Sequence, residues 1–240
     1  MLIVMHALFT SAHEFLFQHL MEQEYVPLLT RTYRYRHCLR VAAIGRKVAE
    51  AENMDADVLE LACLLHDVGK FESQRPWDHG RTGARIARTF LENLGLEEKT
   101  IDEICQGIAM HTDGLWNNPS DSPDFNGIDE YVSPPTMLAR SVGDCDNVDR
   151  YGTYRIYDTL TYVRFDEKRI SEQLEFINEY REKLDKEREY VCATHTAQEL
   201  WKNALDEHDM FFEHLYDQIS SSNVYLKVYE KEIDTFSSEH

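Results

Sequence analysis

The stretch VLELACLLHDVGK, residues 58–70, decides the fold. Val58, Leu59, Leu61, Ala62, Leu64 and Leu65 leave almost no polar face, so a helix here is buried nearly all round rather than laid on a surface. His66 and Asp67 stand at its end. A carboxylate and an imidazole in such surroundings are costly unless each is hydrogen-bonded or bound to a cation, so other parts of the chain must supply partners. Gly69 is expected to stop the helix by taking the left-handed conformation of a C-terminal cap. Asn53 or Asp55 can cap its start, because either side chain accepts hydrogen bonds from the first free amides.

A chain of 240 residues, 42% of them hydrophobic, can bury one substantial core, and a single domain over residues 1–230 is expected. Acidic residues outnumber basic ones 44 to 25, and the net charge of −19 argues against nucleic acid or an anionic membrane as the main partner. An anionic substrate would have to be met by a local basic patch or a metal ion. The five cysteines are scattered, odd in number and without a CxxC pair, which suits free thiols in a reducing compartment. The opening MLIVMHALF is apolar but about half the length a bilayer span needs and has no basic leader, so a cytoplasmic protein is expected.

Outward from the central helix, apolar residues keep helical spacing almost everywhere. Phe9, Phe15, Leu16, Phe17 and Leu20 form one stripe before Pro27 interrupts it. Arg31, Arg34, Arg36 and Arg40, interleaved with Tyr33 and Tyr35, make the main basic cluster, and His37 opens a helical pattern of Leu39, Val41, Ile44 and Val48. After Lys70 a loop, FESQRPWDHGRTG, is expected from its proline and glycines, with His79 inside it. Helices follow at 84–94, stopped by Gly95, and at 100–111. The stretch 114–135 is rich in Asn, Pro, Asp, Ser and Gly and reads as a binding loop or lid. Residues 137–149, MLARSVGDCDNVD, form a short helix. A seam near the heptad period over 166–191, and a second helix capped by Thr194 or Thr196, make a C-terminal helical hairpin within about 166–220, whose apolar seam could serve a homodimer. The tail 231–240 is expected to fray. With no series of strands, the expected class is all-α.

His37, the pair His66 and Asp67, and an aspartate of the DCDNVD run could converge, and mixed nitrogen and carboxylate donors suit a divalent transition metal such as Mn, Co, Ni, Fe or Zn. This order of residues resembles the HD-domain superfamily of metal-dependent phosphohydrolases. The resemblance covers about residues 30–155 and rests on RHCLRVA, LACLLHDVGK, WDHGRTGARIA, AMHTDG and DCDNVDRYG in succession. The last of these is similar to the DADRLDA-like motif of small bacterial predicted HD phosphohydrolases. An HD-type helical bundle is thereby implied.

Carried over residue by residue, the resemblance implies metal ligands at His37, His66, Asp67 and Asp146, with Asp144 as a rival to Asp146. His79 and His111 match positions that bind a second metal in dinuclear members and face the substrate in mononuclear ones, so one or two ions per chain are implied. The implied activity is hydrolysis of a phosphate ester or anhydride, of a nucleotide or related small phosphorylated metabolite, through a metal-activated water. Asp67 would orient that water, and His111, His79 or Lys70 would serve proton transfer. Lys70, Arg81, Arg40 and Arg150 are the expected phosphate receivers. The competing readings are an HD-fold di-iron oxygenase and a non-catalytic ligand-sensing module.

Overall fold

A computed structural model describes residues 2–73, 78–118 and 134–226, and side chains within 8–221 of these. Residues 119–133 of the expected lid and the tail 231–240 lie outside the described residues. Among those described there are helices and no strand: α1 (Leu2–Met21), α2 (Leu28–Glu52), α3 (Ala56–Leu65), α4 (His79–Asn93), α5 (Glu98–Met110), α6 (Met137–Arg150), α7 (Thr153–Tyr162), a 3-10 turn (Phe165–Glu167), α8 (Ile170–Glu187) and α9 (His195–Leu226). The class is all-α. No helix among them is long and apolar enough to cross a membrane.

The chain divides into two compact units, Met1–Arg150 with Val191–Trp201, and Tyr151–Tyr190 with Lys202–His240. In the first, α3 is the hub and packs against α1, α2, α5 and α6. Leu59, Leu61, Leu64 and Leu65 are at most 1% exposed, each contributing roughly 1.5–3 kcal/mol relative to an exposed side chain. Asp55 caps α3, its carboxylate accepting from the amides of Asp57 and Val58 at 3.1 Å each. Asn53 closes α2 instead, in the left-handed conformation at φ 57°.

Three local expectations are corrected. The basic run lies inside α2, which starts at Leu28 directly after Pro27, so Arg34, His37 and Arg40 share one helix. Gly69 is not left-handed; of the described glycines only Gly95, past the end of α4, has positive φ. What Gly69 supplies is room, since a Cβ there would lie 2.3 Å from the amide nitrogen of Gly83. The expected loop is helical from His79 onward, and its glycines serve packing: a Cβ on Gly80 would meet the Ala109 carbonyl oxygen at 2.5 Å. So α4 approaches both α5 and the turn after α3 closely enough to place His79.

In the second unit, α8 and α9 pair through Tyr180 and Phe212, whose rings are 4.5 Å apart, and through the Arg181 to Asp209 bond of 2.7 Å. Phe165, Ile177 and Phe212 form the core. The expected helix over 166–191 is the 3-10 turn followed by α8; α9 begins in the first unit, where Thr194 caps it, its hydroxyl accepting from the Ala197 amide at 3.2 Å. His208 is buried, its Nε2 donating to the Gly152 carbonyl at 3.1 Å and its Nδ1 facing the Tyr180 hydroxyl at 3.1 Å. Burial, with the Arg155 cation adding to it, holds this imidazole below its ordinary value although Gly152 and Glu207 favour its charge. Below about pH 6.5 the unfolded chain therefore takes up a proton that the folded chain refuses, and this contribution to stability is lost as pH falls. Chemical denaturation should show the stability gap between wild type and His208→Gln narrowing from about pH 8 to about pH 5; a constant gap would count against this role.

Candidate metal centre

Five elements of the first unit deliver the site. His37 stands on α2, His66 ends α3 and Asp67 follows it, His79 opens α4, His111 follows α5, and Asp146 lies on α6. All six are buried. His37 Nε2 lies 3.0 Å from Asp146 Oδ1, 3.2 Å from His66 Nε2 and 3.7 Å from Asp67 Oδ2. His66 Nε2 is 3.6 Å from both Asp146 Oδ1 and Asp67 Oδ2.

The far sides of the rings set their tautomers. His37 Nδ1 donates to Asp149 Oδ2, His66 Nδ1 to the Cys63 carbonyl and His111 Nδ1 to the Ile108 carbonyl, each at 2.7 Å. Oxygens of these kinds only accept, so in each neutral ring Nε2 keeps its lone pair and aims it inward. The facing lone pairs of His37 and His66 have no proton to share. Asp67 Oδ1 and Asp146 Oδ1 are buried and accept no hydrogen bond. A cation among these atoms removes every one of those penalties. A first-row divalent ion holds its ligands at about 2.0–2.2 Å, which spaces neighbouring ligand atoms about 2.8–3.6 Å apart, close to the spacings seen here.

Asp67 turns its other oxygen to a second group. Oδ1 lies 3.0 Å from His79 Nε2 and 3.8 Å from His111 Nε2, and those two nitrogens are 3.1 Å apart. One carboxylate thus faces two nitrogen-lined positions.

Burial works against ionising Asp67, yet Arg34, Lys70, His66 and His79 hold its carboxyl well below the usual range. Burial likewise opposes Asp146, and the His37 and His66 rings hold its carboxyl well below the usual range when they are protonated; with both rings neutral that role falls to a cation. His111 is pushed well below the ordinary histidine value by burial and by the neighbouring His79 and His66, which keeps it neutral. The centre is therefore anionic and rich in lone pairs, the donor chemistry a divalent transition ion requires.

The remaining expected residues separate. Lys70 stands at the rim, 29% exposed, with Nζ 3.2 Å from His79 Nε2. Burial lowers the Lys70 pKa against the pull of Asp67, and the Arg34 and Arg150 cations, the latter at the end of α6, add to the lowering. Arg40 is bidentate to Asp149, Nε to Oδ1 at 2.7 Å and Nη2 to Oδ2 at 2.9 Å. Arg81 is only 3% exposed, with its guanidinium engaged by both Asp113 oxygens and the Ala109 carbonyl. It braces α4 against the end of α5 and is not presented to a ligand, because the buried carboxylate of Asp113 claims its charge. Asp144 turns away from the centre and accepts from the Ala193 amide at 2.7 Å, so Asp146 alone of the two reaches the ligand cluster.

One residue escaped the sequence reading. Arg34, one helical turn before His37, is paired with Asp67 Oδ2. The signal was its i, i+3 spacing from His37 on one helix, hidden because the basic run was not read as helical.

An all-helical protein built around a buried His/Asp centre suited to a divalent cation is thus defined. Residues 34–151, just under half of the chain, match the family model described as HD domain. "Putative phosphohydrolase YueE" of Bacillus subtilis (strain 168) is 28% identical over 118 residues, a match covering 45% of this chain and 66% of that protein, just under two thirds of its length. Among solved structures, a predicted HD superfamily hydrolase from an uncultured Thermotogales bacterium superposes with a TM-score of 0.57 at 17% identity, over 85% of this chain and 91% of that one, and shares the fold. Bacillus subtilis YpgQ in complex with ADP gives a TM-score of 0.49 at 16% identity, over 86% of this chain and 96% of that one.

The geometry separates Asp144 from Asp146 by experiment. In calorimetric titrations with Mn or Co, Asp146→Asn should bind at least about tenfold more weakly than wild type. Asp144→Asn should bind like wild type, since an amide oxygen still accepts from Ala193. Equal losses, or the reverse order, would contradict the assignment.

Proposed function

We propose that the protein is a metal-dependent phosphohydrolase acting on a small phosphorylated substrate, a nucleotide being favoured. The observation that carries this reading is the buried cluster of His37, His66, Asp67 and Asp146 donor atoms at 3.0–3.7 Å spacing, with cationic side chains at its open edge. When bound there, a divalent ion supplies a Lewis acid for a phosphoryl oxygen and a water whose pKa falls toward about 7.

The chain's own groups supply the rest. Arg34 and Lys70, 20% and 29% exposed, flank Asp67 and offer positive charge to phosphoryl oxygens in a protein whose net charge would otherwise repel them. Lys70 Nζ carries the proton nearest to His79 Nε2 and stands open to a leaving group. His111 is held neutral with its Nε2 lone pair turned inward, so it offers a donor atom to a cation and has no proton on that nitrogen to give. Tyr33 lies parallel to the His37 ring with centroids 6.4 Å apart, and an aromatic face beside a phosphate site suits a nucleobase. The designation of the Bacillus subtilis relative points the same way. The buried free state of all five cysteines suits a reducing, cytoplasmic setting.

His79 and His111 around Asp67 Oδ1 keep a second reading open, a two-metal centre in which a di-iron oxygenase would use O₂. The test is release of phosphate or pyrophosphate from a nucleotide panel with added Mn, Co or Mg. Wild type should turn over at least one substrate, and His66→Ala and Asp67→Ala should each lose at least about a thousandfold in kcat/KM, about 4 kcal/mol. Undiminished turnover by either variant would refute the proposal; two irons per chain with no hydrolysis would move it to the oxygenase.

A further inference from the structure

Resemblance places Arg40 among the phosphate receivers, yet its guanidinium meets both oxygens of Asp149 at 2.7 and 2.9 Å. Asp149 is 8% exposed and lies one turn beyond Asp146 on α6. Its Oδ2 also accepts from His37 Nδ1 at 2.7 Å. Three groups therefore form a chain from the 32% exposed Arg40 to the buried imidazole whose Nε2 points at Asp146 and His66. The bidentate grip fixes the plane of the Asp149 carboxylate, and that plane fixes the tautomer and the rotation of the His37 ring.

We infer that Arg40 is a positioning residue for the metal centre, acting through Asp149 on His37, and that it is not a phosphate receiver. The inference rests on the metal-binding half of the proposed function and is independent of the reaction catalysed.

Its sign is diagnostic. A cation near a cation site repels the ion, so removing Arg40 would tighten metal binding if only charge mattered. The positioning role predicts the opposite, because His37 loses its fixed orientation.

The experiment is calorimetric titration of the full chain with Mn or Co, on wild type, Arg40→Gln, Arg40→Lys, Asp149→Asn and the double variant Arg40→Gln/Asp149→Asn. Arg36→Gln, which removes the same charge from an exposed position on the same helix, controls for the overall field. Arg40→Gln should weaken binding about tenfold, and Arg40→Lys should fall between it and wild type, since an ammonium cannot make the paired contact. The double variant should match Asp149→Asn if Arg40 acts on the centre through that carboxylate. With a hydrolysed substrate and saturating metal, KM in Arg40→Gln should stay within about twofold of wild type, whereas a phosphate receiver would raise it. Thermal unfolding of each metal-free variant establishes that it is folded. Unchanged or tighter metal binding in folded Arg40→Gln, or losses that add in the double variant, would overturn the inference. A wild type that binds no divalent ion would instead overturn the metal-binding reading beneath it.

Discussion

Asp67 and Asp146 bring two negative charges into the interior of the first unit, beside imidazole nitrogens whose lone pairs also point inward. Isolated carboxylates in such a place would cost several kcal/mol each unless compensated. Arg34 and Lys70 compensate Asp67 from the rim side, whereas Asp146 Oδ1 faces the inward nitrogens of His37 and His66, which carry no proton in the neutral rings. Two oxygens still accept no hydrogen bond. A divalent ion at the centre would complete this electrostatic arrangement, and the surrounding contacts would hold its ligands still.

The helices serve that constraint in different ways. The C-terminal half of α3, Leu61–Leu65, is buried and its start is capped by Asp55, so the end where His66 and Asp67 emerge is anchored. His66 and His111 each reach back to a carbonyl three residues earlier, which fixes ring orientation with purely local bonds. His37, in mid-helix, instead meets a side chain from α6, Asp149, which Arg40 also grips. Gly69 and Gly80 let α4 come within backbone contact of its neighbours and bring His79 to Asp67. On α6 a two-residue step divides the aspartates, Asp146 facing the centre and Asp144 holding the Val191–Trp201 segment through Ala193. A helix turns about 200° over two residues, so both could not have faced inward.

How much of this could be read beforehand follows the physics of each signal. The apolar run of 58–65 and the helical periods of α4, α5 and α6 were legible because one-sided burial leaves a pattern in the order of residues. The grouping of His37, His66, Asp67 and Asp146 came from resemblance, since their contacts join positions far apart in the chain. Glycines misled the reading: Gly69, Gly80 and Gly83 looked like breaks, but their missing Cβ atoms accommodate close packing, which depends on what lies opposite. α7 was not anticipated, for TYRIYDTLTY is full of aromatic and β-branched residues that favour helix weakly, and its single buried residue, Ile156, leaves no stripe. The charges of Arg81 and Arg40 looked available because their partners, Asp113 and Asp149, stand 32 and 109 residues away.

The central claim is that the buried donor cluster holds a divalent transition ion. Elemental analysis of protein purified without chelator or affinity-tag metal, read with anomalous diffraction from the same preparation, tests it most directly. The account predicts about one to two such ions per chain, with anomalous density within about 2.0–2.3 Å of His37 Nε2, His66 Nε2, Asp67 and Asp146. Metal-free protein that takes up no ion when offered Mn, Co, Fe, Ni or Zn, or density at some other place, would contradict it.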